Sequence, residues 1–342
     1  MLTSDALSRE SERSILVLGA GGFVGRATMD AAMSAGILAA GVVRRPDGAD
    51  RPERPETRMI VGDASSPSTW LSAAENALAV VDLVQPSIPR RLGHRALRRM
   101  VAQRVATTER VVTALASLPA ERRPLYVNVS GLADLALNAR GVMAHDSKLT
   151  DHPKGFGLIG TAVSAVVRRS SIDATFVHLG TVYGPGKLFA ERVLPALAAG
   201  RYPIFGRGDN RISLIHVVDT ARALVHLATL PREKTRNRTW VVTDRSALTL
   251  ASFLSESAIA VGGPRPRRAP RWIGRAILGS GLIDELTKDA PSDPSRLVET
   301  GFVYRFPTFP DGLAATLADL RTRSDRPMDL GTARAGAMDG SR

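Results

Sequence analysis

The stretch Ile15-Leu-Val-Leu-Gly19-Ala-Gly21-Gly22-Phe-Val-Gly25-Arg26 restricts the fold more than any other part of the chain. Four apolar residues predict a buried strand, the glycines a tight turn, and the small and apolar residues over 26–35 a helix packed on a sheet. Glycines at 19, 22 and 25 repeat as Gly-x-x-Gly-x-x-Gly, and Gly21 adds a Gly-x-Gly reading. A sharp turn, a close backbone approach and tight helix–strand packing each call for a missing side chain. The helix N-terminus offers free N–H groups and the positive end of its dipole to an anion. Strand, turn and helix in this order predict a cradle for the pyrophosphate of a dinucleotide, built from Gly19, Gly22, Phe23, Val24 and Gly25.

Downstream, residues 37–43 read as a second strand ending at Arg44-Arg45-Pro46. At that end an acidic residue would receive a ribose 2′-hydroxyl, whereas an arginine pairs with a 2′-phosphate. Arg44 therefore favours NADP(H), with NAD(H) left open as the alternative. Further strands are expected at 59–61, 79–84, 125–129 and 174–179, alternating with helices over 70–77, 92–118 and 155–169. Such alternation predicts an α/β fold with a doubly wound parallel sheet. Asp63, just past the third strand, can accept from an adenine amino group, and Gln85 follows the fourth. Helices over 188–199, 220–228 and 250–261, with short strands at 202–208, 212–217 and 240–242, complete the nucleotide domain and a smaller C-terminal α/β unit. Asp219 is expected to cap the 220–228 helix. Residues 264–271 read as a basic, proline-broken loop, and 294–320 as the last ordered piece. The expected division is 14–186 with 209–245 for the nucleotide domain and 187–208 with 246–322 for a substrate domain. Polar tails at 1–13 and 323–342 are expected to be disordered.

Composition narrows the classes. Lacking cysteine, the chain has no disulfide, no thiolate nucleophile and no cysteine metal site, and no other metal site is identified. No apolar run is long enough to cross a bilayer and the first residues are polar, so a cytoplasmic protein without membrane partners is expected. The formal charge of +13 comes mainly from arginine, clustered at Arg90, Arg91, Arg95, Arg98, Arg99 and Arg104, and at Arg265, Arg267, Arg268, Arg271 and Arg275. Only 5% of residues are aromatic, which argues against a base-stacking surface and hence against nucleic acid. Solvated helix faces account for the clusters, and an anionic small-molecule substrate is compatible with them.

Several segments together resemble the extended short-chain dehydrogenase/reductases, the NAD(P)-dependent epimerase/dehydratase group. These are Gly19-x-x-Gly22-x-x-Gly25; Gly62-Asp63; Val182-Tyr183-Gly184-Pro185-Gly186; Gly206-x-Gly208-x-Asn210-Arg211; and Ile215-His216-Val217-Val218-Asp219. The resemblance spans roughly residues 14–320 and implies a Rossmann sheet, a C-terminal substrate domain and a homodimer formed through the long helices after strands four and five. It also implies a Ser or Thr after the fifth strand and a Tyr-x-x-x-Lys pair on the next helix, the tyrosine exchanging a proton and the lysine lowering its pKa. Here those three positions fall on Gly131, Phe156 and Gly160. Four tyrosines occur in the whole chain and none lies on that helix; Tyr183-Gly-Pro-Gly-Lys187 matches the spacing only within a loop.

Substitute proton carriers are expected from Ser130 or from the polar segment holding His145, Lys148 and His152. Tyr183 and Arg211 are assigned to the substrate, the arginine as a clamp on phosphate or carboxylate. His178 and His216 are read as structural. Two functions fit: an enzyme with atypical carbonyl chemistry or a non-redox cyclisation, elimination or epimerisation, or an inactive nucleotide-binding sensor.

Overall fold

The computed structural model describes residues 14–45, 57–75, 77–89 and 92–324. Of the tails expected to be disordered, 1–13 and 325–342 lie outside the described residues, while 323 and 324 belong to the last helix. Along the first unit run β1 (Ser14–Leu18), α1 (Phe23–Ser34), β2 (Leu38–Val43), β3 (Thr57–Val61), α2 (Leu71–Glu75), β4 (Ala77–Asp82) and α3 (His94–Ala116). They are followed by β5 (Leu125–Gly131), α4 (Gly157–Arg169) and β6 (Ala174–Leu179). Next come β7 (Thr181–Tyr183), α5 (Leu194–Ala198), β8 (Ile204–Phe205), β9 (Arg211–Ile212), β10 (Leu214–His216), α6 (Val217–Thr229), α7 (Arg232–Thr235) and β11 (Thr239–Val242). The chain closes with β12 (Leu248–Thr249), α8 (Leu250–Ala260), β13 (Arg268–Ala269), α9 (Arg271–Leu278), α10 (Ser280–Leu286), α11 (Ser295–Glu299) and α12 (Phe309–Ser324).

Seven strands pair in parallel in the order β11-β6-β5-β4-β1-β2-β3. This is the doubly wound Rossmann arrangement, with the direction of winding reversing between β1 and β4. Alternation explains the two-sided burial: Ile15 and Val17 face a core shared with α1, α6 and Trp240, while Leu16 and Leu18 face one shared with α3 and α4. A third core holds the C-terminal unit, where Phe189, Leu194, Ile204, Phe253, Leu254, Phe309 and Leu313 pack around Tyr183. Leu297, Phe302 and Tyr304 return to the Rossmann core, so the stretch expected to be all substrate domain divides between the two units.

Two expectations need correction. Asp219 does not cap α6: the His216 ring does, accepting from the Val218 amide at 3.2 Å. The buried Asp219 carboxylate instead accepts from the Arg305 and Phe306 amides at 2.8 and 2.7 Å, fastening the C-terminal segment to the sheet. Arg104, assigned above to a solvated cluster, is 2% exposed on the inner stripe of α3. Its Nη2 lies 2.8 Å from the fully buried Asp82, which also accepts from the Tyr126 hydroxyl, and its Nη1 donates to Thr108 at 2.7 Å. Removing one member of such a pair leaves the other charge buried and unpaired. Arg104→Met should therefore lower unfolding free energy by about 3 kcal/mol or more in urea titrations, whereas Arg98→Met, on an exposed site, should change it by less than about 0.5 kcal/mol.

Candidate functional site

At the winding reversal β1 runs into Gly19, whose φ of +80° suits glycine. A Cβ there would lie 3.1 Å from the Leu83 carbonyl and 3.3 Å from the Val84 nitrogen, so the turn is pressed against the exit of β4. The Gly22 amide closes the turn on the Gly19 carbonyl at 2.9 Å. At Gly25 a Cβ would fall 2.3 Å from that same carbonyl and 2.8 Å from the Ala20 Cα, which any side chain would push apart. Gly22 is the N-cap of α1 and brings no side chain to cover its first amides, so the cradle fits a pyrophosphate. Val24 packs on the Rossmann core, and the Phe23 ring lies 3.7 Å from where a Gly186 Cβ would stand, bringing the loop after β7 across the cradle.

Arg44 is exposed just beyond β2. Asp63 follows β3 and accepts at Oδ1 from both the Ser65 hydroxyl, at 2.6 Å, and the Ser65 amide, at 2.8 Å. These bonds, with the nearby Arg44 charge adding to them, hold its carboxyl below the usual range. Asp63 thus shapes its own turn as well as standing at the adenosine end. Gln85 is exposed on the segment that leaves β4.

Beyond β5 the positions expected to correspond to the family's proton relay are filled by packing. Phe156 sits with Leu282 against the core of α3 and α4. Gly160 is buried, and a Cβ on it would lie 2.1 Å from both carboxylate oxygens of Asp134. Gly157, one turn earlier, leaves room for the Ala133 carbonyl, 2.6 Å from its own Cβ position. The turn Leu132–Asp134 therefore lies directly on the first turn of α4, where a lysine stem would have to begin. Asp134 and His178 are each 1% exposed; their nearest atoms, Oδ2 and Nδ1, stand 3.4 Å apart, and Nδ1 is 3.3 Å from the Gly131 carbonyl. Asp134 Oδ2 and His178 Nε2 have no hydrogen-bond partner. Ser130 pairs across the sheet with His178.

Two charged side chains reach this place from the C-terminal unit. Glu285, on the last turn of α10, sets Oε2 3.4 Å from the Cβ position of Gly155. Lys288 Nζ donates to the Ala133 carbonyl at 3.2 Å. Burial pushes the Glu285 carboxyl up to about 7, with Lys288 opposing and Asp134 reinforcing the rise. Burial likewise lowers the Lys288 ammonium, against the pull of Glu285 and Asp134. The backbone that bears them is clamped: Asn210 Nδ2 donates to the Leu286 and Lys288 carbonyls at 3.2 and 3.1 Å, and Ser213 to Ala290 at 2.6 Å.

The remaining expected residues are placed elsewhere. Arg211 grips both oxygens of Asp289, at 2.6 to 3.2 Å, so its guanidinium is engaged in the clamp. Tyr183 is 1% exposed, edge-on to Phe189, His216 and Phe309, with its hydroxyl donating to the Phe309 carbonyl at 3.4 Å; no face is left for a substrate. Lys148 and His152 are exposed on the loop between β5 and α4, and His145 is partly buried with Nδ1 unpartnered. Residues 271–293 held no expected helix, so Glu285 and Lys288 were missed. Apolar Ile273, Ile277, Leu278, Leu282, Ile283 and Leu286 were the signal, interrupted by Gly279-Ser-Gly281.

The model of the NAD dependent epimerase/dehydratase family matches residues 15–243. A curated relative, the epimerase family protein SDR39U1 homolog, chloroplastic, of Arabidopsis thaliana, is 22% identical over 322 residues, covering 90% of this chain and 88% of its own. The human epimerase family protein SDR39U1, solved with NADPH, superposes with a TM-score of 0.74 at 22% identity, over 90% of this chain and 99% of its own. MoeE5, solved with UDP-glucuronic acid and NAD, gives 0.68 at 23% identity, over 91% and 99%. Among the described residues no helix is long and apolar enough to cross a membrane.

The contact between Gly160 and Asp134 has a measurable consequence. Gly160→Ala should cost about 1–3 kcal/mol in chemical unfolding, and Asp134→Ala in the same chain should recover most of it, a coupling of at least about 1 kcal/mol. Installing Phe156→Tyr and Gly160→Lys together should yield an unstable protein and no restored relay while Asp134 remains.

Proposed function

The chain belongs to the NAD dependent epimerase/dehydratase family, and from that premise we propose that it is an enzyme binding NADP(H) in preference to NAD(H) and acting on a small metabolite through a non-standard active site. The observation that carries this reading is the cradle at Gly19, Gly22 and Gly25, in which backbone meets backbone so closely that side chains are excluded while the α1 amides stay uncapped. Gly22 and the first turn of α1 would receive the pyrophosphate. Arg44, with Asp63 beside it, would meet the adenosine ribose and its 2′-phosphate, and Gln85 and the Gly184–Gly186 loop would border the opposite half. When bound, the nicotinamide gives or takes hydride. The human relative solved with NADPH supports the choice of NADP, and the one solved with NAD and a UDP-sugar supports the general chemistry. The homodimer through α3 and α4 belongs to the same proposal.

Calorimetric titration tests it. The wild-type protein should bind NADPH more tightly than NADH; Arg44→Ala should weaken NADPH about tenfold and leave NADH within about twofold. Gly22→Asp should abolish both, because a carboxylate would occupy the pyrophosphate approach. Equal affinities that ignore Arg44, or unchanged binding in folded Gly22→Asp, would overturn the assignment.

A further inference from the structure

We propose that Glu285 and Lys288 are the proton-transfer pair of this cleft, carried in by the C-terminal unit to the place where the family keeps tyrosine and lysine on α4. The inference rests on the nucleotide-binding reading above and extends it to the reacting end of the site, for a substrate that interconverts a carbonyl and a secondary alcohol.

The placements converge from two sides. Glu285 hangs over Gly155, one residue before Phe156, and Lys288 stands on Ala133, three residues past Ser130. Beneath them Asp134 Oδ2 and His178 Nε2 are buried without hydrogen-bond partners, a condition retained where a ligand, water or moving proton completes the set. The other charged groups in reach are accounted for: Asp284 pairs with Arg275 at 2.8 Å, and Asp289 with Arg211. Glu285 therefore faces Lys288 and Asp134 as its charged neighbours. Nothing in the packing requires a carboxyl here, since Leu282 and Ile283 of the same helix bury apolar surface beside it. The clamp by Asn210, Arg211 and Ser213 fixes the backbone on either side of Lys288.

In reduction, the O–H bond of protonated Glu285 would break as the carbonyl oxygen gains the proton, the Lys288 cation would stabilise the carboxylate left behind, and solvent would reprotonate it. In oxidation the Glu285 carboxylate would take the hydroxyl proton. Hydride would be exchanged with the nicotinamide dinucleotide when that is bound.

The test is a side-chain carboxyl NMR titration of the full chain labelled with 13C-glutamate, with Glu285→Gln used to assign the resonance. Glu285 should titrate near neutrality. Lys288→Met should raise its proton affinity and Lys288→Arg should leave it close to wild type. NADP+, whose nicotinamide is cationic, should lower the proton affinity about tenfold. Adenosine 2′,5′-bisphosphate, which lacks the nicotinamide, should leave it unchanged. A Glu285 that titrates in the ordinary carboxylate range, or one indifferent to NADP+ that is demonstrably bound, overturns the pair while the nucleotide reading stands. Failure of NADP+ to bind overturns that reading and this one with it.

Discussion

A single buried carboxylate, Asp82, connects the core to the ligand end of the sheet. Its Oδ2 is matched by Arg104 and Tyr126, and its Oδ1 accepts from the Val84 amide at 3.0 Å. That last bond fixes the backbone of Leu83 and Val84, the surface on which Gly19 turns. The pyrophosphate cradle is thus held between two rigid bodies: β1 and α1 pressed together at Gly25, and the exit of β4 tied to α3 through charge. A buried ion pair is weak as a source of net stability, but it holds geometry well, and here what it holds is the place where an anion is to be received.

How much of this was legible follows from the range of the interactions. The cradle was readable because each of its requirements is local: strand, turn and helix lie within a dozen residues, and glycine declares positions where a Cβ is excluded. The parallel sheet was readable from alternation. Arg104 was not, because a charged residue on a helix looks solvated until its partner, 22 residues away on β4, is known. The partners of Asp219, Arg211 and Tyr183 were hidden for the same reason, since Arg305, Asp289 and Phe309 are 78 or more residues distant. Gly160 could be read as the loss of lysine, but not as the seat of Asp134.

The family motif around Asn210 and Arg211 gains a physical meaning from this. Its amide and guanidinium bind the end of α10 and the residues just after it, so the motif ties that segment in place. Gly279, at φ +90°, lies against Leu92, and Gly155, at φ +53°, lies against Gly281. The start of α10 therefore touches the Rossmann unit both before α3 and before α4. Glu285, on the same short helix four residues past Gly281, is held by those contacts at one end and by the Asn210 bonds to Leu286 and Lys288 at the other.

That firmness bears on the proposal that the chain is an enzyme. A protein that merely reports nucleotide binding has no use for a carboxyl held above its normal proton affinity, because its burial lowers stability at neutral pH. The folded Glu285 releases its proton at a higher pH than the unfolded one, so its contribution is most favourable at acid pH and diminishes as pH rises from the ordinary carboxylate range through about 7. An apolar residue at 285 would escape that loss. The buried carboxyl, the half-buried ammonium on the Ala133 carbonyl and the Asp134 oxygen without a hydrogen-bond partner each carry a desolvation cost, and they gather at the start of α4. Costly polar groups that converge on one place favour the proposed enzyme, since the decay of an unused site would be expected to fill it with hydrocarbon.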